Sequence, residues 1–361
     1  MLSAETRGLV RRGWQVSVLT SAWGAPAGVR DEAGVRVVRV RAWHGFEERA
    51  GVPFPVFSPV LLLRAWREVR RADVVHVHDP LYLTSWVAAF LSRLLRTPYV
   101  VHRHVGFVHH DSLVVRLVQS VVLGSMARLV LAGAEAIVPI DEFIAAGTRG
   151  AVARPERVRV LANGVDTALY RPGDEAERTR LRAELGLPQA LPLLLFVGRF
   201  VPKKGFAQVA AAAGDGWRIV FVGGDRPAGV DDERLLFLGS RPAEEVALAY
   251  RCADAFVVAS VGECPLTVLE ALSSGLPVLV NDDPALHSPW TSGPGVRFVD
   301  IAGGGLPTAV AELLAPGPET ADSRAQMGIQ GREFVADAFS WEAHLDGLEE
   351  VYVTSGVHTS E

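Results

Sequence analysis

Residues 193–205 read LLLFVGRFVPKKG. Five apolar residues, typical of a strand that is buried on both faces, lead directly into a glycine, an arginine, two lysines and a second glycine. The segment that follows is rich in alanine and has a helical composition. A buried strand, a glycine-containing turn and a helix form the first part of a βαβ unit, so this stretch predicts a parallel sheet with crossover helices.

The same alternation extends in both directions from this stretch. Short β-branched runs bounded by Gly, Pro or Asp alternate with Ala/Leu/Arg/Glu segments of helical period. Strands are predicted in the first half at residues 15–20, 35–40, 74–78, 99–104, 136–140 and 158–161. Strands are predicted in the second half at residues 193–197, 218–223, 235–238, 255–260, 277–281 and 296–299. The predicted fold class is therefore α/β, with two doubly wound Rossmann-like domains separated by the turn-rich residues 163–173.

The beginning of the chain departs from this pattern. Residues 2–12 are predicted to form a helix, whereas a doubly wound domain normally begins with a strand and a glycine-rich turn, and that strand lies in the middle of the sheet. The first strand of the N-terminal domain is thus missing from the pattern. Unpaired backbone groups cost about 1–3 kcal/mol each when buried, so we expect a chain starting at Met1 to be unstable and translation to begin upstream.

Composition narrows the class of protein. The chain has 361 residues, 49% hydrophobic, which is enough for two domains with large cores. Its 36 Lys and Arg against 41 Asp and Glu give a net charge of −5, which does not favour a nucleic-acid partner. Cys252 and Cys264 form neither a CxxC motif nor a disulfide framework, and no secretory segment opens the chain, so we predict a cytoplasmic protein.

Two features bear on membrane contact. Residues 113–130 are apolar but interrupted by charged side chains, which predicts a buried or interfacial helix rather than a membrane span. Helices predicted at residues 61–71 and 90–96 mix leucine with arginine, a composition that suits an anionic membrane surface and equally suits solvated crossover helices. Peripheral contact with the inner face of the cell membrane therefore stays open.

The glycine-containing loop at residues 198–205 has the chemistry of a phosphate site. Gly198 permits close approach of the backbone, and Arg199 and Lys204 would neutralise phosphate charge, the first as a planar fork and the second as a point charge. A helix N-terminus directly downstream would add unpaired N–H groups. This pattern predicts a diphosphate site that needs no metal, and an ordinary solvated loop with surface cations is the alternative.

Residues 260–272 read SVGECPLTVLEAL and predict a strand end, a loop and a helix. Glu263 lies in the loop and Glu270 in the first turns of the helix, where both carboxylates could accept hydrogen bonds from sugar hydroxyls. The alternative is that these acidic groups only complement the positive end of the helix dipole.

Histidines are concentrated in the N-terminal half. Two His-x-His pairs, His76 with His78 and His102 with His104, lie at predicted strand ends, and alternation places each pair on one face of the sheet. Imidazoles from adjacent strands can bind zinc, but no carboxylate or thiolate completes an obvious set, so we predict no metal site. We expect His102 to be partly exposed and hydrogen-bonded to backbone. Asp79 and Asp141, which follow strands, are interpreted as helix N-caps.

Taken together, these motifs resemble a known family. GRFVPKKG (198–205) and GECPLTVLEALSSGLPVLV (262–280), with NGVD (163–166) and FSWEAHLDGLEEVY (339–352), make the chain similar to GT-B fold glycosyltransferases of family 4, retaining enzymes that use nucleotide-activated sugars. The resemblance covers nearly the whole chain and implies two domains facing a cleft. It implies an acceptor-side domain at residues 1–168, a nucleotide-sugar domain at 169–335, and a C-terminal helix at 336–361 that returns to the first domain.

The resemblance also implies roles for individual residues. Arg199 and Lys204 match the ligands of the donor diphosphate, Glu270 matches the carboxylate that holds the ribose, and His104 matches a histidine beside the donor sugar. The implied catalytic residues are therefore His104, Arg199 and Lys204. The implied donor-binding residues are Gly198, Arg199, Lys204, Glu263, Cys264, Pro265, Leu266, Thr267 and Glu270.

Glu263 departs from the family pattern. The family usually has seven residues between its two glutamates, whereas six lie between Glu263 and Glu270, and Gly262 occupies the expected position. The role of Glu263 is therefore open, and the backbone N–H groups of residues 264–267 are the alternative donors to phosphate or sugar oxygens.

The resemblance predicts a retaining hexosyltransferase. It would transfer a sugar from a nucleoside diphosphate sugar to an unknown hydroxyl acceptor, either lipid-linked or a small metabolite, without a metal or any cofactor beyond this co-substrate. Two alternatives remain: a sugar-nucleotide epimerase of the same architecture, and a non-catalytic, degenerate sugar-nucleotide-binding paralogue. The missing strand and the displaced Glu263 favour the second alternative.

Overall fold

The computed structural model describes residues 2–45, 55–104, 120–121, 123–262 and 265–356. The chain divides into two compact units: unit 1 is residues 1–163 with 344–361, and unit 2 is residues 164–343. The first boundary between the units, between residues 163 and 164, lies within the predicted seam at 163–173. The second boundary, between residues 343 and 344, falls in the last helix, Trp341–Thr354. The predicted boundary after residue 335 would instead divide the preceding helix, Pro318–Ala338.

The strands are β1 Ser17–Ser21, β2 Gly28–Glu32, β3 Val35–Val40, β4 Ala42–Trp43, β5 Val56–Phe57, β6 Val75–His78, β7 Tyr99–Arg103, β8 Ala136–Pro139, β9 Leu193–Val197, β10 Arg218–Val222, β11 Leu235–Phe237, β12 Ala255–Val258, β13 Val278–Asn281 and β14 Val296–Val299. The helices are α1 Leu2–Arg11, α2 Val60–Val69, α3 Leu83–Leu95, α4 Arg128–Ala132, α5 Glu142–Arg149, α6 Glu175–Glu184, α7 Phe206–Ala210, α8 Ala243–Cys252, α9 Thr267–Ser273, α10 Leu306–Leu313, α11 Pro318–Ala338 and α12 Trp341–Thr354. A π-helical turn spans Leu123–Ala127, and 3₁₀ turns span Pro155–Arg157, Pro202–Lys204 and Pro284–Leu286.

Unit 2 is a doubly wound α/β domain, as predicted. Its six strands form one sheet in the order β11-β10-β9-β12-β13-β14, and every adjacent pair is parallel. Apolar side chains from β9, β10 and β12, such as Leu194, Phe221 and Val257, are buried in the main core of the unit. The strand order reverses between β9 and β12, which makes their carboxyl ends the topological switch point where ligands of such sheets bind.

Unit 1 is also α/β, but its described strands form separate sheets. One sheet has the order β6-β7-β8 and is parallel. Another has the order β1-β3-β2, in which β2 pairs antiparallel with β3, and β4 and β5 form a short antiparallel pair. No strand precedes α1 among the described residues. The strand predicted at residues 158–161 is reduced to a single bridge between Val158 and Ile137.

Helices cover both faces of the β6-β7-β8 sheet. On one face, Leu9 of α1 and Leu345 and Leu348 of α12 pack against Val100 of β7 and Val138 of β8. On the other face, side chains of α3 and α4 join a second core cluster. This packing fixes the ends of β6 and β7, from which the paired histidines project.

The structure tests the predictions on membrane contact only in part. None of the helices in the described part of the chain is long and apolar enough to cross a membrane. Within the helix predicted at residues 113–130, residues 113–119 and 122 lie outside the described residues, and residues 123–130 form the π-helical turn and the first part of α4.

Candidate functional site

The loop that follows β9 is shaped by its glycines. After Gly198 and Arg199, the chain forms the 3₁₀ turn Pro202–Lys204 and then enters Gly205, whose φ of +72° is left-handed. A Cβ atom on Gly205 would collide with the backbone carbonyl of Ala259, the residue that follows β12. Glycine is therefore required here for both its conformation and the close approach of the two loops.

A backbone hydrogen bond joins the two motif-bearing loops at the switch point. The amide of Val261 donates to the carbonyl oxygen of Lys203 at 3.0 Å. Two further loops join them, because the amide of Gly223 donates to the carbonyl of Gly239 at 2.9 Å and a Cβ on Gly223 would collide with the carbonyl of Gly198. The structure thus gathers the loops after β9, β10, β11 and β12 at one edge of the sheet.

The predicted cations lie in this gathered region. The Arg199 side chain is exposed, and no ion pair engages it among the residues that the structure describes. Lys204 is half-buried, and its Cδ atom lies 3.9 Å from the position that a Cβ on Gly198 would occupy. The lysine chain therefore runs back over the first glycine of the motif, and the loop presents both kinds of cation beside close-packed backbone.

Glu270 in α9 is held by two tyrosines. The Tyr250 hydroxyl donates to the Glu270 Oε2 atom at 2.9 Å, and Tyr170 also hydrogen-bonds with this carboxylate. Burial raises the pKa of Glu270, and the hydrogen bonds from Tyr250 and Tyr170 offset this rise only in part. Neither tyrosine is predicted from the sequence, since an isolated tyrosine in a helix or a turn-rich seam gives no indication of a site.

The remaining predicted donor-binding residues are only partly described. Pro265 and Leu266 are half-buried and precede α9, which begins at Thr267. Glu263 and Cys264 lie outside the described residues.

The predicted N-cap role of Asp79 is wrong. Its carboxylate Oδ1 atom accepts a 2.9 Å hydrogen bond from the amide of His104, and the N-cap residue of α3 is Tyr82. The side chain thus ties the end of β6 to the end of β7. Asp141, by contrast, caps α5 as predicted, because its side chain accepts from the Ile144 amide at 2.7 Å.

The histidine pairs project from one face of the sheet in unit 1. The parallel register places His78 beside His102, and the ring nitrogens His78 Nδ1 and His104 Nε2 are 2.9 Å apart. The expectation that His102 is partly exposed and satisfied by backbone is wrong. Its side chain is 0% exposed, and both ring nitrogens lack a hydrogen-bond partner among the described residues.

Burial also governs the protonation of this cluster. It lowers the pKa of His76 to about 3 and that of His104 to about 4, so both imidazoles are neutral near pH 7. Glu5 of α1 faces the same cluster. Burial alone would raise the pKa of Glu5, but the hydrogen bond with His344 and the nearby His76 and His78 lower it to about 2.

The geometry of unit 2 defines a class of protein. A doubly wound parallel sheet whose switch point carries close-packed glycine loops and two cations is an arrangement suited to binding a ligand that contains phosphate. Comparison with known proteins narrows the class. Residues 3–164 match the family model of the glycosyl transferase 4-like domain, and residues 191–297 match that of the glycosyl transferases group 1.

Individual relatives span almost the whole chain. D-inositol 3-phosphate glycosyltransferase of Frankia alni is 30% identical, over 96% of this chain and 91% of the relative. The protein of the same name from Corynebacterium glutamicum (strain R) is 28% identical, over 98% of this chain and 90% of the relative. The structure of HepE from Anabaena in complex with UDP-glucose superposes with a TM-score of 0.65 at 16% identity, over 94% of this chain and 99% of that one. The chain belongs to the GT-B glycosyltransferases.

Proposed function

We propose that this glycosyltransferase transfers a sugar from a nucleoside diphosphate sugar to an acceptor hydroxyl with retention of the anomeric configuration. The observation that supports this most strongly is the junction of the two motif loops at the switch point, where the Val261 amide is bonded to Lys203 and the glycine loop carries Arg199 and Lys204. A diphosphate bound there would meet both cations.

In this proposal the chemistry is electrostatic. The bond between the anomeric carbon and the diphosphate oxygen breaks, and Arg199 and Lys204 stabilise the negative charge that develops on the leaving diphosphate, the role that a divalent metal has in other transferases. The acceptor oxygen bonds to the anomeric carbon on the face that the diphosphate leaves, and its proton passes to a diphosphate oxygen. The configuration is then retained, and no protein base or cofactor is required.

Two other residues are proposed to orient the donor. Glu270, held by Tyr250 and Tyr170, has the hydrogen-bonding capacity to accept from ribose hydroxyls. His104 is proposed, from the family resemblance, to orient sugar hydroxyls. The neutral form of its imidazole can both donate and accept a hydrogen bond.

The comparisons suggest which substrates to test first. UDP-glucose is the donor to begin with, since HepE was solved with that ligand. D-inositol 3-phosphate is the first acceptor, since the relatives carry that name. Other phosphorylated and unphosphorylated polyols and lipid-linked sugars complete the panel, because the acceptor is otherwise undefined.

The test is product analysis by NMR with EDTA present. Each nucleotide sugar is incubated with and without each acceptor, and we expect a glycoside whose anomeric coupling matches that of the donor, formed only with an acceptor. Inversion of configuration, or strict dependence on an added metal, would overturn the mechanism. An epimerised sugar nucleotide formed without acceptor would identify an epimerase, and nucleotide binding without turnover over the whole panel would identify a non-catalytic binder.

A further inference from the structure

Five imidazoles form a stack in unit 1, and one of them, His104, is also proposed to orient the donor sugar. Consecutive ring centroids lie 4.3 Å apart for His76 and His78, 5.1 Å for His78 and His104, and 4.4 Å for His102 and His104. His344 of α12 continues the stack, with its ring 5.9 Å from that of His102. Two adjacent strands and a helix thus bring together five side chains that are all capable of binding a metal.

Several ring nitrogens in this stack lack partners. The His76 Nε2 atom and both ring nitrogens of His102 are buried without a hydrogen bond among the described residues. Buried polar atoms are almost always satisfied in folded proteins. The His104 Nδ1 atom is a fourth buried nitrogen of this cluster without a hydrogen bond among the described residues. One nitrogen of each neutral imidazole has a free lone pair, and a bound metal ion would accept it.

The other ring nitrogens are arranged as they are around metal sites. The His76 Nδ1 atom lies 2.8 Å from the Tyr352 hydroxyl, and the His78 Nδ1 atom lies 2.9 Å from His104 Nε2. Metal-bound histidines typically donate their second N–H to such a partner, which fixes the ring and leaves the opposite nitrogen for the metal. His76 and His78 would then both present Nε2.

A buried carboxylate supplies the negative charge that the sequence pattern around the histidines does not indicate. Glu5 is 2% exposed, and its Oε1 atom lies 3.5 Å from His76 Nδ1 and 3.6 Å from His78 Nε2. The carboxylate reaches the cluster from α1, and no spacing rule connects it with the two His-x-His pairs.

We propose that His76, His78 and His102 bind one divalent transition-metal ion, zinc in the first instance, with the Glu5 carboxylate compensating its charge. One ligand atom from each of the three histidines lies within 4.8 Å of the other two. Nitrogen ligands around tetrahedral zinc are about 3.3 Å apart, so modest rotation of the three imidazole rings would bring their nitrogens to this spacing. Three imidazoles favour zinc over magnesium or calcium, which prefer oxygen ligands.

The role of the ion is structural. It would join β6 and β7, and Glu5 and Tyr352 would couple it to α1 and α12. The ion takes no part in the proposed transfer, because Arg199 and Lys204 belong to the other unit and are proposed to neutralise the diphosphate without a metal. His104 links the two proposals, since its Nε2 atom contacts the proposed ligand His78.

The test uses the full chain, with any affinity tag removed, after chelation and dialysis. Zn²⁺ and Co²⁺ are titrated and followed by calorimetry and by visible absorption of bound Co²⁺. We expect one equivalent to bind, an intense four-coordinate cobalt spectrum, and a higher melting temperature for the loaded protein. Binding of less than one equivalent, or a weak six-coordinate cobalt spectrum, would overturn the proposal, and this result depends on no variant.

Substitutions of the proposed ligands then test where the ion binds. His76→Gln and His102→Gln should each weaken Zn²⁺ binding by at least about 100-fold, and Tyr352→Phe by about 10-fold through loss of the hydrogen bond that orients His76. The matched control is His287→Gln, since His287 is exposed and paired with Asp282 in unit 2. Affinities equal to wild type in the first two variants, or a loss in the control as large as theirs, would overturn the assignment.

UDP binding is measured on the same stripped samples. It should persist, so failure of the metal site and failure of the proposed function give different results.

Discussion

The amide of Val261 donates a 3.0 Å hydrogen bond to the carbonyl oxygen of Lys203, and this bond joins two loops that follow different strands of the unit 2 sheet. The first loop carries the predicted phosphate-binding cations, and the second leads towards Glu270. Because the bond is formed by backbone atoms, side-chain substitutions in either loop can test individual groups without removing it.

The first prediction concerns the two neighbouring lysines. Lys204→Ala should weaken UDP binding roughly 10- to 100-fold, because it removes a charge-assisted contact of about 1.5–3 kcal/mol with the diphosphate. Arg199→Ala should have an effect of similar size. Lys203→Ala is the matched control, since it changes the adjacent exposed lysine and keeps its carbonyl, and should leave affinity within about threefold. Calorimetric titration with UDP measures the affinity of each variant. Equal losses of affinity in Lys204→Ala and Lys203→Ala would mean that only the total charge of the loop affects UDP binding.

The second prediction concerns Glu270. Glu270→Gln should reduce UDP affinity roughly tenfold by replacing a charged acceptor of ribose hydroxyls with a neutral one. UMP and uridine should lose affinity in proportion, since they carry the same ribose. A loss seen with UDP but not with uridine would place Glu270 near the phosphates instead.

The same variant gives a test of stability against pH. Burial raises the pKa of Glu270 in the folded state. Glu270 therefore favours folding most at pH values below its pKa in the unfolded chain, and this contribution is lost as the pH rises through its pKa in the folded chain. Glu270→Gln should therefore be more stable than wild type at pH 7, and its advantage should shrink towards pH 4. Urea unfolding at both pH values measures the difference; an advantage that grows in acid would contradict the direction of the shift.

The third prediction concerns a buried ion pair that the sequence analysis did not identify. The Arg182 Nη2 atom lies 2.7 Å from Asp254 Oδ2, both side chains are 4% exposed, and the same carboxylate oxygen accepts a 2.8 Å hydrogen bond from the Leu193 amide at the start of β9. Asp254→Ala would leave the arginine charge buried and unpaired, which typically costs 3–5 kcal/mol, so the free energy of unfolding should fall by about that amount.

An exposed pair provides the control for this prediction. Glu312 forms an ion pair with Arg297 in which both side chains are about half exposed. Glu312→Ala should change the free energy of unfolding by at most about 1 kcal/mol, as exposed pairs generally do. Urea unfolding of both variants gives the comparison, and similar losses would show that burial does not strengthen the Asp254 interaction.

The fold of unit 2 was predictable because its strands consist mainly of apolar residues. The predicted ranges 193–197 and 296–299 match β9 and β14 at both ends. In unit 1 the strand Gly28–Glu32 was missed, since GVRDE has no apolar alternation and forms a strand only through antiparallel pairing with β3. Pairing of this kind is a tertiary effect that no local pattern reports.

The position of the glycine loop was predictable because its residues are contiguous in the sequence, and its role in donor binding stays a prediction. Gly198, Arg199 and Lys204 follow one strand within a few residues, and the structure places this loop at the switch point. The partners of Glu270 were not predictable, because Tyr170 and Tyr250 lie on other elements and meet the carboxylate only in the folded chain. The contact between Glu5 and the histidine cluster was not predictable for the same reason, because Glu5 lies on α1 and approaches His76 and His78 only in the folded chain.

The last prediction compares two left-handed glycines. Gly205 has a φ of +72° and Gly186 a φ of +66°, so alanine at either position should cost about 1–2 kcal/mol from backbone strain alone. A Cβ on Gly186 meets nothing within 4 Å, whereas on Gly205 it collides with the carbonyl of Ala259. Gly205→Ala should therefore destabilise more than Gly186→Ala, and it should also weaken UDP binding, because relief of the collision separates the loops that the Val261 amide joins. Urea unfolding and UDP titration of the two variants test this, and equal effects on both measurements would show that the close approach of the loops is not required for donor binding.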